Sequence, residues 1–124
     1  MKTWFTSDHH FGHENVIRFC KRPFASAAEM DRVLVENWNA VVGPRDTVYH
    51  LGDFAYRGDK RLLRGLFDKL HGTKHLVIGN HDHGETKRLP WASIDNLMDV
   101  TVDGQKIVLC HYAMRSWKAA HYGT

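Results

Sequence analysis

Short polar clusters recur along this chain, most of them just after an apolar, strand-like run: Asp8-His9-His10 with His13 behind it, Gly52-Asp53, Gly79-Asn80-His81-Asp82, His111 after Ile107-Val108-Leu109-Cys110, and His121. Carboxylates, imidazoles and an amide oxygen are the donors that hold divalent cations. Mixed nitrogen and oxygen sites suit Mn, Fe or Zn better than Ca. Asp8 and His10, one residue apart, are expected to point the same way from an extended or tightly turned loop and to grip one ion. Asp53 has two oxygens with which to bridge a pair of ions, and Gly52 lets the backbone bend closely there. Asn80 offers an amide oxygen. His81 beside it is placed to act as general acid or to stabilise phosphoryl charge, with Asp82 setting its tautomer. Each cluster alone has an ordinary explanation: a polar turn, a capping aspartate, a histidine at the core edge. Their joint appearance points to metal-assisted hydrolysis.

The elements that must position these residues alternate. Thr3–Ser7 reads as a buried strand, β-branched and aromatic. Asn15–Cys20 reads as a short helix stopped by Pro23. Ser26 and Glu29 form a capping box opening a helix whose Met30, Val33, Leu34, Trp38 and Val41 recur at helical spacing, ended by Gly43-Pro44. Thr47–Leu51 is a second strand. A helix over Asp59–Leu70 carries Leu62, Leu63, Leu66, Phe67 and Leu70. His75–Ile78 is a third strand, and 83–93 is irregular with one helical turn. Asp103-Gly104 between Asp99–Val102 and Gln105–Cys110 is a type I′ hairpin signal. Alternation of strands and helices implies an α/β layered fold, in which sites form beyond the carboxyl ends of the strands. The clusters fall there.

The totals are those of an ordinary globular domain. At 124 residues, 43% hydrophobic and 25% charged, residues 1–124 are expected to form one domain. A formal net charge of +3 and a pI near 9.0 suit an anionic partner such as a phosphate ester, nucleotide or nucleic acid. Cys20 and Cys110 make no C-x-x-C pair, which favours a reducing cytoplasm. With Asp8 so near the start, no signal peptide is expected before it, and no apolar run approaches a membrane span. Ten histidines are many for this length.

Taken in order, Asp8-x-His10, Gly52-Asp53, Gly79-Asn80-His81-Asp82 and His111 resemble the motifs of the calcineurin-like metallophosphoesterase superfamily. The strings Ser7-Asp8-His9-His10-Phe11-Gly12-His13 and His111-Tyr112-Ala113-Met114-Arg115-Ser116-Trp117 look like its small single-domain bacterial and phage members. The resemblance implies a two-sheet sandwich flanked by helices (α/β/β/α). It places two divalent ions, Mn2+ foremost with Fe, Zn, Ni and Mg as alternatives. Asp8 and His10 would hold one, Asn80 and His111 the other, and Asp53 both, with His81 catalytic and paired with Asp82. It implies hydrolysis of a phosphodiester or phosphomonoester by a hydroxide shared between the ions. His13 and Arg115 are candidates for contact with substrate phosphate. The family's later Gly-His-x-His motif does not occur before Thr124. The sandwich is therefore expected to be incomplete at the C-terminus, with open strand edges that invite self-association. His121, His83 or His13 are then the substitute ligands to consider. The alternative is a metal-binding, weakly active or inactive module with a regulatory role. A basic nucleic-acid-binding domain without chemistry is a third reading, but no nucleic-acid motif supports it.

Overall fold

Three parallel strands in matched register are the frame on which everything else is placed. β1 (Thr3–Thr6), β2 (Thr47–His50) and β3 (Thr73–Val77) pair side by side, and β4 (Ser93–Asp95) extends the sheet beyond β3. Thr6 lies opposite His50, and His50 opposite Leu76. The strands therefore end together, and the segments that follow leave the sheet as neighbours. In this computed structural model residues 1–13, 17, 21–55, 60–79, 82 and 84–111 are described. The helix expected over 15–20 lies outside them apart from Ile17, as do Asn80, His81, His83, Arg115, Trp117 and His121.

α1 (Ala27–Val41) connects β1 to β2 and α2 (Lys60–Lys69) connects β2 to β3. Ser26 caps α1: its hydroxyl accepts the Glu29 N–H at 3.2 Å, while the Glu29 carboxylate accepts the Ala25 N–H at 3.1 Å. The capping box thus reaches one residue further back than its usual form. The buried seam of α1 runs through Met30 and Trp38 to Val42, just past the helix end, and Val41 is exposed instead of inward. On α2, Leu63, Leu66 and Phe67 are buried and Leu62 faces out. Trp38, Val42, Leu63, Leu66 and Phe67 form one core cluster with Val48 and Leu76 from the sheet, Phe11, Phe54 and Leu89. Each such side chain contributes about 1.5–3 kcal/mol by leaving water.

Polar side chains lock the ends of the two helices together. Asn39 donates to the Lys69 carbonyl and accepts from the His71 N–H, both at 2.9 Å, and the Trp38 indole donates to the His71 carbonyl at 3.0 Å. Lys74, on β3 but facing the helices, turns its ammonium to the Leu70 carbonyl at 2.6 Å, with the Phe67 ring 4.3 Å away. A buried lysine is tolerated here because it satisfies an orphan carbonyl at a helix C-terminus.

Alternate strand residues face the other way. Phe5 stacks on Tyr49 at 5.6 Å and Tyr49 on His75 at 4.7 Å. α3 is the single turn Gly84–Lys87. β5 (Leu97–Val102) and β6 (Gln105–Cys110) form a separate antiparallel hairpin. Its turn has positive φ at both Asp103 (51°) and Gly104 (79°), the type I′ geometry expected of that dipeptide. The start of β5 joins Tyr49, His75 and Ser93 in lining a shallow cavity. The architecture is the expected mixed α/β one: a parallel sheet, a second antiparallel sheet, and helices. β4 escaped the sequence reading, because three exposed residues carry no pattern.

Candidate metal centre

Beyond the strand ends the backbones of neighbouring loops stay paired. Leu51 donates to Thr6, Asp8 to Gly52, His10 to Asp53 and Phe11 to Phe54, at 2.7, 2.9, 3.0 and 2.9 Å. These bonds bring Asp8 and His10 beside Asp53. One donor atom from each of the three lies within 4.8 Å of the others. His111, where β6 ends, arrives from the far side.

Of the two loop conformations expected, extended or tightly turned, the structure has the turned one. Asp8 (φ 60°), His10 (φ 56°) and Asp53 (φ 55°) all occupy the left-handed region. That region is disfavoured for residues with a Cβ, and such strain gathers at functional sites. Left-handed turns, not strand alternation, make Asp8 and His10 converge. The two glycines flanking Asp53 are required by contact. A Cβ on Gly52 would meet His111 Nδ1 at 2.6 Å and the Gly79 backbone at 2.7 Å. A Cβ on Gly79 would meet Asp53 N at 2.6 Å and Asp53 Oδ1 at 2.7 Å.

Asp53 Oδ2 sits between two imidazoles, 3.7 Å from His10 Nε2 and 3.6 Å from His111 Nε2. Asp8 Oδ1 is 3.9 Å from His10 Nε2. These separations exceed hydrogen-bond length. Two ligands on one ion, each at about 2.1 Å, lie roughly 3–3.5 Å apart, so the cluster is slightly wider than a filled site. His111 makes the case for a cation. Its Nδ1 lies 2.7 Å from the Leu51 carbonyl, which can only accept, so Nδ1 carries the proton. In the neutral ring Nε2 is then a lone pair facing a carboxylate oxygen, an arrangement that calls for positive charge between them. A histidine whose second nitrogen donates to a backbone carbonyl is the usual form of a metal ligand. The residues fit a divalent ion.

Asp82 has a structural role besides the pairing with His81 expected of it. It is 1% exposed. Its Oδ2 accepts the N–H groups of Asp53 and Gly79, both at 2.8 Å, and its Oδ1 accepts that of Phe54 at 2.9 Å. It clamps the loop after β2 to the loop after β3. Any contact with His81, like the positions of Asn80 and Arg115, lies outside the described residues. His13 is buried against His10, with the two Nδ1 atoms 3.3 Å apart.

Sequence reasoning overlooked a layer beneath the ligands. His50 Nε2 lies 2.9 Å from His9 Nδ1. Arg22 donates to the carbonyls of His9 and Asp8 at 2.8 and 2.7 Å. Burial foremost, with Arg22 adding to it, pushes His9 down to about 4. Burial likewise holds His50 well below the ordinary imidazole value. Both rings are therefore neutral near pH 7. A histidine at the end of β2 and another in the loop after β1 were the available signal.

Comparison with known proteins agrees with this geometry. A calcineurin-like phosphoesterase family model matches residues 1–122. An uncharacterized protein of Methanocaldococcus jannaschii is 38% identical over 112 residues, covering 89% of this chain and 58% of its own. The gene 66 protein of Mycobacterium phage D29 is 33% identical over 127 residues, covering 88% of this chain and 62% of its own. The crystal structure of a protein of unknown function from Aquifex aeolicus superposes with a TM-score of 0.76 at 34% identity, over 90% of this chain and 61% of that one. The chain thus spans about three fifths of each of these relatives. The family match runs through every strand that ends at the Asp/His cluster, and the chain belongs to the calcineurin-like phosphoesterase family.

Proposed function

We propose that this chain binds two divalent cations, Mn2+ foremost, and hydrolyses a phosphoric ester. A phosphodiester is the leading substrate class and a phosphomonoester the other. The observation that carries the reading is Asp53 Oδ2 held between His10 Nε2 at 3.7 Å and His111 Nε2 at 3.6 Å. Asp8 and His10 would hold one ion, His111 and Asn80 the other, with Asp53 shared. Bound there, such ions would acidify water and neutralise charge on the phosphoryl oxygens. The chain's own contribution is to fix three acceptors in strained turns before substrate arrives. His81 would supply the proton to the leaving group, and Arg115 would pair with a phosphate oxygen. The position of His13 suits support of the His10 ring better than contact with substrate.

The formal charge of +3 favours anionic substrates, nucleotides and nucleic acids among them. The free thiol of Cys110 is in keeping with a reducing, cytoplasmic compartment. No helix among the described residues is long and apolar enough to cross a membrane. β1 and β4 lie at the sheet's edges among the described strands, and self-association would use them.

The test is Mn2+-dependent hydrolysis of a chromogenic phosphodiester. The proposal expects turnover by the wild type, its loss with metal binding in Asp53→Asn, and its loss with metal retained in His81→Ala. Stoichiometric Mn2+ without turnover would favour the metal-binding module instead. Absence of both contradicts the proposal.

A further inference from the structure

We infer that His50 and His9 act as a positioning pair: a hydrogen bond from His50 Nε2 to His9 Nδ1 fixes the Asp8–His10 ligand loop on the end of β2. The inference rests on the metal-centre reading and adds residues to it that bind no ion themselves.

The proton positions follow from the donors around the pair. The Gly52 N–H points at His50 Nδ1 at 3.2 Å. A backbone N–H can only donate, so Nδ1 of His50 is the acceptor and its proton resides on Nε2. That Nε2–H faces His9 Nδ1 at 2.9 Å, which therefore accepts. A single chain of hydrogen bonds thus runs from Gly52, beside Asp53, through His50 to His9, which separates Asp8 from His10. It ties the two ligand loops together through side chains, in addition to their backbone bonds.

The rings cannot easily turn away. His50 is 0% exposed, stacked 15° from the Trp38 plane at 6.3 Å and edge-on to Phe54 at 5.3 Å. His9 lies 7° from the plane of Phe11 at 5.3 Å. Asp8 and His10 flank His9 in left-handed conformations (φ 60° and 56°) that the chain would leave if released. Arg22 holds the same loop by its carbonyls and the β2 loop holds it by backbone bonds; the side chain of His9 adds a handle that a substitution can remove. Residues that orient metal ligands from behind typically change metal affinity by about 10–100-fold when lost.

The test measures Mn2+ affinity and imidazole tautomers, neither of which needs turnover. In metal-free protein, two-bond 1H–15N correlation should show His50 protonated on Nε2 and bare on Nδ1, and His9 bare on Nδ1. His50→Phe keeps the ring's shape and removes both bonds; it should weaken Mn2+ binding about tenfold or more. His50→Gln returns a donor near Nε2 and should recover most of that loss. His9→Phe should match His50→Phe, and the double variant should be no weaker than either, since both remove one interaction. The opposite His50 tautomer, a folded His50→Phe that binds Mn2+ as the wild type does, or additive losses in the double variant would each overturn the inference. If His50→Phe does not fold, His50→Gln and the tautomers decide it. A wild-type chain that binds no Mn2+ would instead remove the reading on which the pair's purpose depends.

Discussion

Asp82 and Asp53 are joined through the main chain: Asp82 Oδ2 accepts the Asp53 N–H at 2.8 Å, and the same oxygen accepts the Gly79 N–H at the same distance. One buried carboxylate thereby holds both the residue that lies between His10 and His111 and the glycine packed against it. Asp82→Asn replaces an acceptor with an amide that must turn one N–H toward these donors or leave them unpaired. A buried donor left unsatisfied costs about 1–3 kcal/mol. Asp82→Asn should lower unfolding stability by that amount in urea titration and weaken Mn2+ binding. An unchanged denaturation midpoint would contradict the clamp.

Gly79 should be intolerant of the smallest addition. A methyl group there would sit 2.6 Å from Asp53 N and 2.7 Å from its Oδ1, so Asp53 itself must move. Gly79→Ala should therefore lose Mn2+ affinity by about tenfold or more, the scale of a disturbed ligand shell. Gly65→Ala is the control: its added methyl group meets nothing within 4 Å. It should leave Mn2+ binding unchanged and stabilise α2 slightly, by roughly 1 kcal/mol or less. Calorimetric titration of both variants separates the two outcomes.

Stability at acid pH should depend on Asp46, away from the site. Its carboxylate accepts from the Trp4 indole at 3.0 Å and from the N–H groups of Gly43 and Lys2, both at 2.9 Å. These bonds, that from Trp4 foremost, hold its carboxyl down at about 2 from an ordinary 3.8. Between these values the unfolded chain binds the proton and the folded one does not, so stability falls as pH falls. The contribution is complete above about pH 4 and lost by about pH 2. Asp46→Asn should lower the melting temperature at pH 7 and flatten its fall between pH 4 and 2. Parallel melting curves for wild type and variant across that window would refute the assignment.

How much of this was legible in the sequence depended on whether a residue's role follows from its type. Ser26 and Glu29, the apolar spacing of Leu63, Leu66 and Phe67, and Asp103-Gly104 each announce local structure directly. The ordered motifs around Asp8, Asp53 and His111 announced the family and the convergence. Lys74 and His50 did not announce themselves. Each is a polar residue whose burial makes sense only once an orphan carbonyl or a second imidazole is brought to it by tertiary packing. The clamping role of Asp82 was hidden for a related reason: its oxygens reach backbone donors 28 and 29 residues away. The left-handed turns at Asp8 and His10 are likewise set by pairing with the β2 loop, which no local spacing encodes.

The most direct measurement is anomalous diffraction at the manganese edge from crystals equilibrated with Mn2+. The expected result is a peak within bonding distance of Asp53 Oδ2, with Asp8 and His10 completing one ion's contacts and His111 Nε2 bound to a second. An ordered Asp53 with no anomalous peak beside it at saturating Mn2+ would contradict the metal centre.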